Sequence, residues 1–234
     1  ASRAVRLSRE SGALATLPAA LNALALILVL SGELARAAEL FAEEDAITRV
    51  TGAPPIPNSR LALAAWRGMH PETRELTATM VERARVRGEG LTVSSAETSL
   101  AYLHNGLGNY DRALVAASKL SQLDELAHSS VALPELVEAA VRAGQPERAA
   151  AAVDLLTSRA NASGTQWALG MAARSRALIS TGPDAEEHYR EAVERLSNCR
   201  MATHLARTHL VYGEWLRREG RRQDAREQLR TAHD

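Results

Sequence analysis

Cysteine, lysine, aromatics and net charge are scarce in this sequence, and each shortage closes off a class of protein. The single Cys199 leaves no partner for an internal disulfide and no cysteine-rich zinc site, and it fits a reducing compartment. Aromatic residues are 3% of a chain that is 46% hydrophobic, so a core must be built from Ala, Leu and Val. That palette suits close-packed helices, because Ala and Leu have the best helix propensities and small side chains let helix axes approach. It suits a β-sandwich poorly. Lys plus Arg and Asp plus Glu both number 28, which removes the global field that draws a whole domain onto nucleic acid or an anionic membrane. Lys119 is the only lysine, and the reliance on Arg reads as a GC-rich coding sequence rather than as chemistry.

Long apolar runs are missing as well. Arg3, Arg6 and Arg9 ahead of the stretch Leu24 to Leu30 loosely mimic a secretory signal. The stretch falls far short of the ~20 residues that span a bilayer, Glu10 lies among the basic residues, and the helical pattern runs on past Gly32. It reads as a buried helix, so no membrane partner is expected and the expected location is cytoplasmic.

What the chain does have is a repeat. "LGNYDRAL", residues 107–114, resembles the turn of a tetratricopeptide repeat (TPR): a glycine closes one helix, an aromatic follows two residues on, and a small residue opens the packed face of the next helix. The same frame recurs. Gly108 leads to Ala113, Ala117 and Leu120; Gly144 to Ala149, Val153 and Leu156; Gly220 to Ala225, Leu229 and Ala232. Gly32 leads to Ala37 and Phe41 with Glu44 spoiling the third place, Gly68 to Thr73, Thr77 and Met80, and Gly182 across a shorter turn to Ala185, Tyr189 and Ala192. The first packed positions 37, 73, 113, 149, 185 and 225 are 36 or 40 residues apart, slightly longer than a standard TPR.

Within one period the apolar residues trace helices. Leu133, Leu136, Val137, Ala140 and Val141 form an amphipathic stripe, and Leu205, His209, Tyr212 and Leu216 mark a similar face. Gly12, Gly52, Gly88 and Gly164 close the second helix of one unit before the next begins. "TGAPPIPNS", with three prolines, is a unit-to-unit connection. The expected fold is therefore all-α: a TPR-like α-solenoid, a right-handed superhelix of about six antiparallel helix pairs after a leading half-unit, spanning 1–234 as one domain. Both ends read as cut inside the array, as in a fragment of a longer protein.

Catalytic and cofactor motifs are not found. There is no GxxxxGK[ST] phosphate loop, and "GLGNYD" lacks the strand and the third glycine of a dinucleotide fingerprint. Of the histidines at 70, 104, 128, 188, 204, 209 and 233, only His204 and His209 lie close together, and i, i+5 spacing puts them on different helix faces. No metal, cofactor or catalytic residue is expected, and the chain does not read as an enzyme. "RREGRR", residues 217–222, is the densest basic cluster, but interleaved Glu214, Glu219, Asp224 and Glu227 make it a solvated helix end rather than a DNA reader.

The candidate binding residues come from position. In stacked pairs the first helices line the concave surface. Offset from the turn glycines places Asn58, Trp66, Tyr102, Asn105, Glu138, Arg142, Arg176, Glu214 and Arg217 there. Trp66, Trp167 and Trp215 read as fillers between small alanines rather than ligand anchors.

Four stretches carry a more specific resemblance: "SGALATLPAALNALALILVLSGELARAAEL", "GAPPIPNSRLALAAWRG", "VRAGQPERAAAAVDLL" and "YGEWLRREGRRQDAREQLRTAHD". They resemble the TPR-like helical region of large ATP-binding LuxR-type (MalT-like) transcription regulators. The resemblance implies an upstream ATP-binding module and a downstream helix-turn-helix, neither of which lies in this sequence. It also implies self-association and DNA binding controlled by nucleotide and often by an inducer held by the helical array. The expected role is thus a module that receives a small-molecule inducer or a protein partner and couples it to a DNA-binding domain. The alternative is a passive TPR scaffold for protein contacts without ligand response.

Overall fold

Ten glycines take a left-handed φ: 12, 32, 52, 68, 88, 108, 144, 164, 182 and 220. These are the ten that the repeat frame marks as turns. In the computed structural model they separate thirteen helices among the described residues, which are 1–53, 56, 58–122 and 126–233, the side chains of 72, 85 and 126–129 excepted. No strand is present among them. The helices are α1 (Ser2–Glu10), α2 (Leu17–Leu30), α3 (Leu34–Thr51), α4 (Asn58–Trp66), α5 (His70–Arg87), α6 (Gly90–Gly106), α7 (Tyr110–Ser121), α8 (Leu126–Arg142), α9 (Pro146–Ser163), α10 (Gln166–Ile179), α11 (Gly182–Ser197), α12 (Ala202–Arg218) and α13 (Arg222–His233). No described helix is long and apolar enough to cross a membrane.

The chain divides into two compact units, Ala1–Leu107 and Gly108–Asp234. The boundary falls inside "LGNYDRAL", between α6 and α7. In the first unit α1 packs on α2, α2 on α3 and α4, α4 on α5 and α6, and α5 on α6. In the second, α7 packs on α8, α8 on α9 and α10, α9 on α10, α10 on α11, α11 on α12 and α12 on α13. Adjacent helices thus pack as antiparallel hairpins joined by short glycine turns.

The frame also predicts burial. Ala37, Thr73, Ala113, Ala149 and Ala185 are fully enclosed and Ala225 is 3% exposed. Twelve residues before each lies another buried residue on the preceding helix: Ala25, Leu61, Ala101, Val137, Ala173 and Gly213. Apart from Leu61 and Val137 the residues at these paired places are small, which lets the helices cross closely. Where alanine is still too large, glycine appears: a Cβ on Gly170 would sit 2.8 Å from Leu196 Cγ and 3.2 Å from Arg195 Cβ, and one on Gly213 would sit 2.8 Å from Leu229 Cγ. Leu196 is fully enclosed whereas Leu229 is half-buried and able to yield, although the Ala225 carbonyl oxygen, 3.2 Å from the Gly213 Cβ position, is fixed backbone. Gly170→Ala is therefore expected to lower stability by about 1–3 kcal/mol by overpacking, and Gly213→Ala by less, as urea denaturation would show.

Glu44, which breaks the apolar frame by sequence, occupies its packed place fully buried. It accepts a hydrogen bond from the Ile56 amide at 3.1 Å and lies 3.6 Å from Arg60. Asn22 donates to the Ile56 carbonyl at 2.7 Å and accepts from Ser59 at 2.7 Å. The connection between α3 and α4 is therefore fastened at Ile56 by buried polar groups from α2 and α3, whose cost of burial these bonds offset. Pro54, Pro55 and Pro57 of that predicted connection lie outside the described residues, as does the His128 side chain.

Candidate functional site

The positional candidates separate into two groups and a few outliers. In the first unit, Trp66 packs against the cluster of Ala25, Val29, Phe41 and Leu63. Its ring lies 4.9 Å from that of Tyr102, and His70 meets His104 edge-on at 5.9 Å. Asn105 is buried beside them in sequence and Asn58 is half-buried at the start of α4. Trp66 and the 7%-exposed Trp215 thus pack into apolar clusters whose nearest rings are Tyr102 for the first and Tyr189 and Tyr212 for the second, rather than between alanines alone.

In the second unit Glu138, Arg142 and Glu214 come together in a charged network on the first helices α8, α10 and α12. Glu135, Glu138 and Arg142 lie along one face of α8 at helical spacing, directly after Pro134. Glu135 pairs with Arg174 of α10 at 3.2 Å, and both side chains are essentially enclosed. Glu138 takes a two-pronged ion pair from Arg207 of α12, and Arg142 pairs with Glu214 of α12. Arg142 also lies over the Tyr110 ring at 5.7 Å. The network contains three carboxylates and three guanidiniums, so it is neutral as a whole.

Burial and charge act against each other here. Desolvation would raise the Glu138 carboxyl, but Arg207, with Arg174 and Arg142 nearby, holds it below the usual carboxylate range. Burial lowers Arg142 and Arg207, and their carboxylate partners more than reverse this. Two polar groups are left incompletely paired: Arg174 Nε and Nη1, and the hydroxyl of the enclosed Tyr189, have no hydrogen-bond partner. Tyr189 stacks on Tyr212 at 4.9 Å and lies 5.8 Å from Trp215, so an aromatic cluster floors the charged one.

His204 is buried on α12, 5.9 Å from the Trp167 ring, and it is pushed down to about 3 by burial and by the Arg174 charge. It stays neutral in the fold, whereas an unfolded imidazole takes up a proton below about pH 6.5. The unfolded chain then binds more protons, so stability is full above that pH and falls as pH drops, by about 1.4 kcal/mol per unit between 6.5 and 3. Urea midpoints at pH 7.5 and 5 should differ accordingly, and His204→Leu should flatten that slope. His209 turns the other way and bonds Gln228 of α13 at 2.7 Å. Among the described residues no group of three or more His, Cys, Asp and Glu side chains is placed to hold a metal ion.

The remaining candidates lie apart from the network. Arg176 pairs with Glu191 of α11 at 2.8 Å, on the face toward its own hairpin partner. Arg217 and Arg218 are exposed at the end of α12 and Arg222 at the start of α13, while Arg221 is tied to Glu186 and Asp224, which fits a solvated helix end. Of the expected α12 stripe, Tyr212 and Leu216 are buried and Leu205 and His209 only half-buried; His204, Thr208, Val211 and Trp215 complete the enclosed face. Glu135, Arg174, His204 and Arg207 were not among the positional candidates. One signal could have found Arg174: it stands eleven residues before Ala185, as Tyr102, Glu138 and Glu214 stand before Ala113, Ala149 and Ala225.

Two surface clefts adjoin these helices. One of about 390 Å³ is lined by Arg190, Tyr212, Leu216, Arg221, Asp224 and Gln228 among others. Another of about 330 Å³ lies at the start of α7, where Asn109, Tyr110, Asp111 and Arg112 meet Arg142. Both mix charges of each sign. Set against known proteins, the chain matches no protein-family model, no curated protein and no solved structure, so the reading of this site rests on its own geometry.

Proposed function

We propose that this chain is a helical-repeat signal-coupling module, its hairpins stacked as a TPR-like right-handed solenoid, in a LuxR-type transcription regulator of the cytoplasm. The observation that carries the coupling role is the network joining α8, α10 and α12. In an ordinary stack each hairpin touches only its neighbours. Here the α8 hairpin is bonded to the α12 hairpin across the one between, so a contact made at one is felt at the other. A small inducer or a protein partner bound along the first helices would act through that link, and DNA would be reached through a separate domain. We assign the chain no catalytic step and no cofactor.

One observation favours the passive scaffold instead. Buried charges already fill the first-helix face of the second unit at α8 to α12, whereas an inducer site calls for an apolar pocket with a few converging polar groups. The coding sequence on either side decides between them. A phosphate loop upstream and a helix-turn-helix downstream support the regulator, and flanks that encode neither return the chain to the scaffold.

A further inference from the structure

The charged network has an uncommon reach. Glu138 and Arg207 are 69 residues apart, Arg142 and Glu214 are 72 apart, and each pair spans from α8 to α12 past the intervening α10. Packed helix axes lie about 8–10 Å apart, so three first helices in a flat row would hold α8 and α12 about 16–20 Å apart. An Arg–Glu pair reaches that far only with both side chains fully extended, so two such pairs side by side fit a row that curls toward its first-helix face. The direct link between α8 and α12 is made by charges, while an apolar cluster holds α12 to its nearer neighbours α10, α11 and α13: Glu138 is fully enclosed, Arg207 is 14% exposed, and Arg142 and Glu214 are 19% and 28% exposed. Breaking such pairs leaves charges that gain hydration on opening, whereas an apolar seam would gain nothing from water. The outer pair, being partly exposed, is the natural first to part.

We infer that the Glu138–Arg207 and Arg142–Glu214 pairs form a latch that holds the second unit in a curled state and that releases toward a flatter one when the pairs are broken. The latch uses the same face as the coupling role but needs neither an inducer nor flanking domains. Flanking sequence can therefore refute the regulator while leaving the latch, and distances can refute the latch while leaving the regulator.

The test is a distance measurement on the full 234-residue chain. In a Cys199→Ser background, spin labels at Ala151→Cys on α9 and Gln223→Cys on α13, both exposed, report the spread of the outer hairpins by pulsed electron resonance. Glu138→Gln with Glu214→Gln should lengthen the mean distance by about 5 Å toward the flat spacing and broaden its distribution. Arg142→Glu alone should also lengthen it, and adding Glu214→Arg, which restores the outer pair in swapped form, should return both to the parent values. An unchanged distance in the helical double variant overturns the latch, and so does a lengthened distance that the swap fails to reverse. If the double variant unfolds, Glu214→Gln alone decides: a longer distance upholds the latch and an unmoved one overturns it.

Discussion

Glu135→Leu should lower the stability of the chain by about 3–5 kcal/mol, seen as a large fall in the urea midpoint. Arg174 is fully enclosed, and its Nη2 donates to Glu135 at 3.2 Å while Nε and Nη1 lack partners. Without the carboxylate a guanidinium that cannot lose its proton would remain in a site closed to water. The fold must either open there or carry an unpaired charge. Glu135→Leu combined with Arg174→Met removes both ends and should recover most of the loss, because replacing a buried pair with apolar residues of similar volume is often neutral. Recovery by the second substitution would tie the cost to the stranded charge and not to the shape of Leu.

Tyr189 is the other place where one side chain carries much. Its ring is enclosed between Tyr212 and Trp215 in the cluster that joins α10, α11, α12 and α13. Tyr189→Ala should cost about 3–5 kcal/mol, through lost transfer energy and the cavity left beneath α12. Tyr189→Phe should do the opposite on a smaller scale. The hydroxyl is buried without a hydrogen-bond partner, and burial pushes its ionisation above the usual phenol range. Removing it should raise stability by about 1 kcal/mol, the lower end of the penalty for an unsatisfied polar group. A drop in the Phe variant would mean that the hydroxyl is bonded in solution.

What was legible in the sequence follows from the range of the interactions. A left-handed glycine and the small residue five places on are local requirements, so Gly108 with Ala113 and Gly220 with Ala225 could be read without a fold. Glu44 was misjudged as a flaw because its value depends on the Ile56 amide and on Arg60, which come from another helix and its connection. Glu138, Arg142 and Glu214 were found by their offset from the turns, but what they meet was not. Arg207 lies 69 residues from its carboxylate, and no periodicity in one sequence specifies which of several long side chains will reach across α10. Arg176 shows the converse: counted from Gly182 it matches Glu138 and Glu214, but that turn is two residues shorter, so the equivalent place falls on Arg174 and Arg176 turns to Glu191 of its own hairpin.

The network also bears on how such a chain can be rearranged. Repeat arrays commonly gain or lose single units, since each unit's debts are settled with its neighbours alone. Here the excision of α10 and α11 would strand Glu135, and the loss of α12 and α13 would leave Glu138 and Arg142 without their partners. The stretch from α8 to α13 is therefore expected to tolerate duplication or transplantation only as one block of three hairpins. A chimera that joins it at α9 or at α11 inherits an unbalanced charge along with the seam.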